Sequence, residues 1–464
     1  MACAARLAAR GFSVEVFEKL TRCGGRNNLI EDRGFKFDTG PSFVLMPDFF
    51  EEVFASCGRR LPDYLDLKIL DTNYKIFFPD GDSLSVWADS RKTKEELERF
   101  EKGASLRFDD FIKETGRLYQ AVKPLLYTCF TPSAIANPRY WPLLKILKVQ
   151  ESYWGIVSRF FKSEKLRFAF TFEAMFMGVS PYQAPGFYSI ISYTDHAQKI
   201  RHPMGGMYTI PRALERMACE FGAKFHYGQE VRAIKANSSC ALTTSRDSCQ
   251  GDYVVVNADY PYAQTDLLGG RIPSYKYSCS VYLLYWGLKK KLPGGLAHHN
   301  LFFSEDLQKN LRQIFQGKQI PEDPSWYIHV PTQTDPTLAP PGKEIVYTLI
   351  PVPNLQGQAE DIAPHEDRLR KMVLSKIKQV AGYDIEQDIE VEHKFFPGDF
   401  ISRYNIKYGA TFGLAHNLMQ SAFFRPSNRS RKSAKLFFVG ASTQPGGGLP
   451  VVLASSRIVA DLIP

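Results

Sequence analysis

Along the chain the spacing of apolar positions switches repeatedly between helix and strand periods. Residues 2–10 form an Ala-rich run with helical propensity, and Gly11 stands where a helix C-cap falls. Ser13-Val14-Glu15-Val16-Phe17 then alternates as a short strand and is followed by Glu18. Val254-Val255-Val256 is a short apolar run leaving through Asn257-Ala258-Asp259, and Leu436-Phe437-Phe438-Val439 runs into Gly440 in the same way. Both read as buried strands. A helix is predicted over about 453–462, beginning near the glycine-rich stretch 445–450. From roughly 100 to 200 the chain favours helices and aromatics. From 270 to 400 strand-like runs at 280–286 and 345–350 mix with helices near 306–316 and 365–381, and 316–324 reads as a loop. No internal repeat or low-complexity stretch is evident.

Composition narrows the class without naming it. The 464 residues suffice for two or three structural units at roughly 150 residues each, which excludes a peptide or a disulfide-stapled mini-domain. Apolar residues at 44% and charged residues at 23% describe a folded chain rather than a disordered or rod-like one. The net charge of +9 favours anionic surfaces and leaves nucleic acid and anionic lipid equally open. Eight cysteines without a Cys-x-x-Cys pair read as free thiols, not as a disulfide framework or a structural metal site. No run approaches the roughly 18 apolar residues of a membrane span, and the first residues lack the basic-then-apolar order of a secretory signal.

Helix, glycine, strand and acid form the second half of a dinucleotide-binding βαβ unit. There the acid bonds the nucleotide ribose about 20 residues after a Gly-x-Gly-x-x-Gly turn. Counting back from Glu18 places those glycines before Met1, so the first strand is expected to be missing; a start set too far downstream is favoured over a truncated or decaying copy. Gly24-Gly25-Arg26 follows the acid, and Phe37-Asp38-Thr39-Gly40-Pro41-Ser42 ends a strand in a tight turn. Glycines admit a pyrophosphate close to backbone amides and Arg26 offers it a charge; two ordinary turns are the plainer alternative. Gly-x-Ser-x-Gly, His-Glu-x-x-His and Walker-type loops are absent from the sequence, leaving hydrolase and P-loop chemistry unsupported.

These motifs resemble the flavoprotein superfamily of amine oxidases and carotenoid desaturases. The far end, Phe424-Arg425-Pro426-Ser427-Asn428-Arg429-Ser430 and then 436–450, is similar to the bacterial and fungal type of phytoene desaturase. Met177-Gly178-Val179-Ser180-Pro181-Tyr182, Pro203-Met204-Gly205-Gly206-Met207 and Ala297-His298-His299-Asn300 fall in the family's order, so the resemblance spans essentially the whole chain.

The resemblance implies an α/β fold: a Rossmann-like FAD-binding domain from 1–70, 200–265 and 400–464, a mixed-sheet substrate domain from 71–99 and 266–399, and a helical lid over 100–199. It implies FAD as cofactor, contacted by Glu18, Gly24, Gly25, Arg26, Gly40, Pro41, Val231, Asp259, Gly440, Gly447, Gly448 and Pro450. The implied reaction is hydride transfer from an allylic carbon to the flavin with proton loss next door, adding one conjugated double bond. Phytoene is the favoured substrate; dehydrosqualene desaturation, carotenoid isomerisation and non-catalytic polyene binding are the alternatives. Quinone or oxygen is the implied electron acceptor, and no nucleic-acid partner is expected.

Other expectations attach to particular residues. Phe168-Ala169-Phe170-Thr171-Phe172, Met175-Phe176-Met177 and Tyr188 are candidate tunnel lining or ordinary core. Glu173, Asp195 and His202 are candidate proton acceptors, with no catalytic residue assigned. Between Pro138 and Lys162 aromatics interleave with cations, as in a one-leaflet membrane anchor, a single-strand-stacking surface or plain core helices; the resemblance favours peripheral membrane contact. Arg425, Arg429, Arg431, Lys432 and Lys435 read as a solvated loop or an anionic-lipid contact. His298 and His299 point to opposite faces of a strand, and no carboxylate or cysteine partner is spaced to join them, so a structural or solvent role is favoured and no metal is expected.

Overall fold

Alternation along one strand organises the larger half of the molecule. In Ser280–Leu288, Val281, Leu283 and Tyr285 enter one buried cluster while Tyr282, Leu284, Trp286 and Leu288 enter another on the opposite face. A strand covered on both faces reads as a continuous apolar run, which is why 280–286 stands out in the sequence. The fold is taken from a computed structural model, which describes residues 1–131, 137, 138, 141, 147, 148, 150–236, 240–357 and 359–464.

Ser280–Leu288 is a central strand of a seven-stranded sheet. The order is Ile389–Phe395, Ser280–Leu288, Glu344–Val352, Trp326–His329, His299–Phe302, Thr72–Phe77 and Ser83–Trp87. Every pairing is antiparallel except that of His299–Phe302 with Thr72–Phe77. Helix Glu366–Ala381 covers one face through Leu369, Val373, Leu374 and Ile377. Aromatic-rich helices between 104 and 177 cover part of the other, beside the hairpin Leu29–Asp32 and Phe35–Asp38.

The second half is built from short pieces. Glu15–Glu18 pairs in parallel with Lys224–Tyr227, and Val254–Val256 in parallel with Leu436–Phe438; the two pairs are separate sheets. Helix Ala2–Ala9 packs against Thr209–Glu220 on one side and Leu449–Leu462 on the other. The last helix begins at Leu449 rather than near 453, because Pro450 is favourable in a first turn, where no amide hydrogen is needed. The expected helix at 306–316 ends as an α-helix at Arg312 and continues as a π-turn to Gly317. All eight cysteines are free. Among the described residues, no helix is long and apolar enough to cross a membrane.

Candidate active site

A cavity of about 1370 Å³ runs between the two halves. That exceeds the roughly 300–1,000 Å³ typical of a site for one small ligand. One end is walled by backbone and small residues from the strand pairs, the other by the sheet face carrying Val281, Leu283, Tyr347 and Leu349. Glu18, Gly24, Gly25, Arg26, Gly40, Pro41, Val231, Asp259, Gly440, Gly447, Gly448 and Pro450 all lie on this cavity's wall.

The turns at the polar end are held by backbone-to-backbone packing. A Cβ on Gly24 would stand 2.1 Å from the Asn27 carbonyl oxygen of its own turn, and one on Gly40 2.1 Å from that of Arg26, so the first turn closes on itself, and the second on the first, only as glycine. Arg26 donates to the Thr411 carbonyl at 2.9 Å. Glu18 accepts from the Leu20 amide at 2.9 Å, and burial still pushes its carboxyl up from the ordinary range. Burial also raises Asp259, although the Ser442 hydroxyl and Arg26 oppose it; its Oδ2 is buried without a partner.

The C-terminal motif owes its shape to two buried polar side chains. Arg425 donates to the carbonyls of Leu414, Gln420, Ala441 and Thr443 at 3.4, 3.1, 2.5 and 3.1 Å. Asn428 donates to those of Phe438 and Gln444 at 3.0 and 2.9 Å. His416 presents Nε2 to the Gly447 amide at 2.9 Å and Nδ1 to the Met177 carbonyl at 3.1 Å. That tautomer is neutral, and burial together with Arg425 holds the ring well below its usual pKa.

Glu173, whose side chain is buried, is among the residues on the cavity's wall. Its Oε2 accepts from the Tyr153 hydroxyl at 3.1 Å, and that hydroxyl stands 2.7 Å from Ser192 Oγ. The Asp195 carboxyl is close enough to interact with that of Glu173. Burial raises Glu173 to about 7 and Asp195 well above the usual carboxylate range, with the neighbouring carboxyl adding to the latter. The pair therefore holds a proton at a higher pH than isolated carboxyls do, which suits a group that exchanges protons near neutrality.

The whole chain, residues 1–464, matches the family model of flavin containing amine oxidoreductase. It is 38% identical to a zeta-carotene-forming phytoene desaturase of Myxococcus xanthus, covering 99% of this chain and 91% of that protein. A phytoene desaturase of Phycomyces blakesleeanus is 36% identical over 100% and 83%, and a 4,4'-diapophytoene desaturase of Staphylococcus haemolyticus 34% over 99% and 96%. The chain belongs to the flavin-containing amine oxidoreductases and, within them, to the carotenoid desaturases. Solved structures of an oxidoreductase from Methanosarcina mazei and of cyclohexylamine oxidase from Brevibacterium oxydans share the fold. Their TM-scores are 0.62 and 0.61 at 17% and 14% identity, covering 100% and 99% of this chain and 97% and 96% of theirs.

As a carotenoid desaturase the protein is an FAD-dependent oxidoreductase acting on CH–CH groups, and its residues fit that cofactor. Helices Ala2–Ala9 and Leu449–Leu462 both begin on the cavity without a side-chain cap, which leaves amide dipoles for phosphate or flavin oxygens. No atom lies within 4 Å of where a Gly25 Cβ would project.

Several sequence readings need correcting. Of the proposed tunnel residues whose side chains are described, Met177 and Tyr188 reach the cavity; Phe170 instead stacks on Phe161 at 4.7 Å, and Phe172 packs edge-on to Tyr74 at 5.0 Å. Arg425 is 2% exposed, not part of a solvated basic loop, although Arg429, Arg431 and Lys432 are exposed. Tyr153 and Phe161 of the aromatic-cationic stretch are core residues, while 139, 140, 142–146 and 149 lie outside the described residues. The partners His298 finds are other histidines, which the sequence reading leaves out: Arg201–Pro203 brings His202 and Trp326–His329 brings His329 beside it. Sequence reasoning missed His416 altogether, since nothing local marks a histidine that meets a glycine loop 31 residues on.

Proposed function

We propose that the cavity takes FAD at its glycine-rich end and a long polyene at its apolar end, and that the protein desaturates phytoene. One observation carries the reading: a single cavity joins all twelve cofactor-binding candidates to an apolar sheet face, and Glu173 is on its wall. On this reading Glu18 serves the ribose, Gly24-Gly25-Arg26 and the first helix the pyrophosphate, and Gly440 with Gly447, Gly448 and Pro450 the flavin end. Gly40 and Pro41 shape the facing turn, and Val231 and Asp259 complete the wall.

When bound, FAD supplies a hydride acceptor for an allylic carbon. The chain's own work is to orient the polyene, exclude water and receive the proton. Val281, Leu283, Tyr347 and Leu349 give the polyene an apolar floor without localised charge. Glu173 takes the proton from the adjacent carbon, Tyr153 steadies the carboxylate that does so, and His416 stays neutral. The electrons then pass to a quinone or to oxygen.

Leu418, Met419 and Phe424 are 42%, 66% and 41% exposed and also line the cavity. An apolar rim at a cavity mouth suits peripheral docking on a bilayer that holds the substrate. The test is FAD-reconstituted protein with liposomes carrying either the forty-carbon or the thirty-carbon substrate. Conjugated product from phytoene supports the reading; product from the shorter polyene alone makes the protein a diapophytoene desaturase. Double-bond isomerisation without oxidation would refute both.

A further inference from the structure

Three histidines that are far apart in sequence meet in the interior behind the cavity wall. One ring nitrogen from each of His202, His298 and His329 lies within 4.8 Å of the other two, and all three side chains are buried. His298 Nε2 and His329 Nε2 stand 2.9 Å apart. We infer that His202, His298 and His329 bind one divalent transition-metal ion of the zinc class, which braces the Pro203–Met207 turn against the substrate sheet.

Three features favour a metal over a self-sufficient polar cluster. Two imidazole nitrogens facing each other can share one proton, but His202 Nδ1 remains buried with no partner at all. Burying such a group unsatisfied is unfavourable, and a ligating cation removes that penalty. The groups behind the rings are those that orient metal-binding histidines: His202 Nε2 faces Asp335 Oδ2 at 3.4 Å, and His298 Nδ1 meets Thr334 Oγ1 at 2.8 Å. Charge also balances, because two carboxylates hold the turn beside the cluster. Asp335 accepts from the Gly205 amide at 2.5 Å, and Asp38 accepts from the Met207 and Tyr208 amides at 2.7 and 2.9 Å.

Imidazole sets of this kind suit zinc and its first-row neighbours. With Zn–N bonds of about 2.0–2.1 Å, tetrahedral donors stand roughly 3.4 Å apart, so the two Nε2 atoms need only move apart by a few tenths of an ångström. Three elements converge on the site, namely Arg201–Pro203, Trp326–His329 and the residue leading into His299–Phe302. Next to it, His299 stacks on Phe43 at 4.0 Å and meets the Tyr327 hydroxyl at 2.6 Å, and that hydroxyl reaches Ser42 at 3.0 Å. Phe43, Tyr327 and Ser42 line the cavity. The ion thus stands one layer behind the substrate and takes no part in the redox step.

The test uses the tag-free full chain with FAD, stripped by chelator, loaded with zinc or cobalt(II) and desalted. One zinc per chain by elemental analysis and the visible ligand-field bands of tetrahedral cobalt are expected. His298→Gln and His329→Gln should each weaken retention at least about tenfold, and Asp335→Asn about 10–100-fold, with FAD content unchanged. Wild-type protein that retains no zinc and shows no cobalt bands overturns the inference, whether or not the variants fold. Retention by folded His298→Gln and His329→Gln variants equal to that of the wild type also overturns it, because the ion is then bound elsewhere.

Discussion

The two halves of the molecule meet opposite demands. The seven-stranded sheet has nine-residue central strands, Ser280–Leu288 and Glu344–Val352, paired along their whole length and buried on both faces. The cofactor half is divided among small separate sheets: two pairs of strands three or four residues long, and a three-stranded sheet of Val231–Ala236, Cys240–Thr244 and Ser248–Gly251, all of which reach the cavity. The difference teaches where stability resides: the sheet owes it to its own side chains, whereas the strand pairs turn backbone and glycine toward a ligand that completes their environment. The cavity is the joint between them, and Glu173 is on its wall.

The strongest way to break the comparison is at that joint. Glu173→Gln keeps the shape and removes the base, so kcat should fall about 10²–10⁴-fold while FAD content stays the same; an unchanged kcat would move the proton acceptor elsewhere. In the wild type, kcat should rise with pH through about 7, as Glu173 loses its proton. The stability linkage has the opposite sign. A carboxyl raised in the folded state binds its proton more tightly there, so its contribution is present at low pH and is lost as pH rises through about 7. Glu173→Gln should therefore melt above the wild type at pH values beyond that point, a difference that disappears in acid.

Trp286→Ala tests the self-sufficient half. It empties a fully buried site and removes the indole donor to Glu392, and should cost about 3–5 kcal/mol in denaturant unfolding, with or without FAD. FAD at a hundredfold excess over its Kd should add about 2.7 kcal/mol. Hydrogen exchange should slow at 15–18 and 254–256 and stay unchanged at 280–288; uniform slowing would erase the distinction between the halves. The smallest effect belongs to Gly25→Ala, which meets open space but holds φ at +57° and should cost about 1–2 kcal/mol. Gly40→Ala, blocked at 2.1 Å by the Arg26 carbonyl, should instead abolish FAD binding.

What the sequence disclosed followed the range of the interaction. The apolar runs at 280–286, 254–256 and 436–439 and the glycine turns are local patterns, and each is read from its own residues. Contacts that depend on the meeting of distant segments left no local trace. Arg425 resembles any other cation until four carbonyls are seen to converge on it, and Phe170 and Phe172 differ from Met177 only in which side of the lid faces the cavity. Sequence spacing around His298 gives no sign of its partners, which lie 96 and 31 residues away. Glu173 was visible as a carboxylate in an aromatic run, but its position beside Asp195 and the cavity was not.

The most direct measurement is an anaerobic single turnover: the FAD-loaded protein is mixed with phytoene in liposomes while the oxidised-flavin band and the conjugated polyene absorption are recorded together. The expected result is one flavin reduced for each double bond formed, with both changes slowed alike in Glu173→Gln. Conjugated product without flavin reduction, or a fully loaded flavin that phytoene leaves oxidised, would contradict the account.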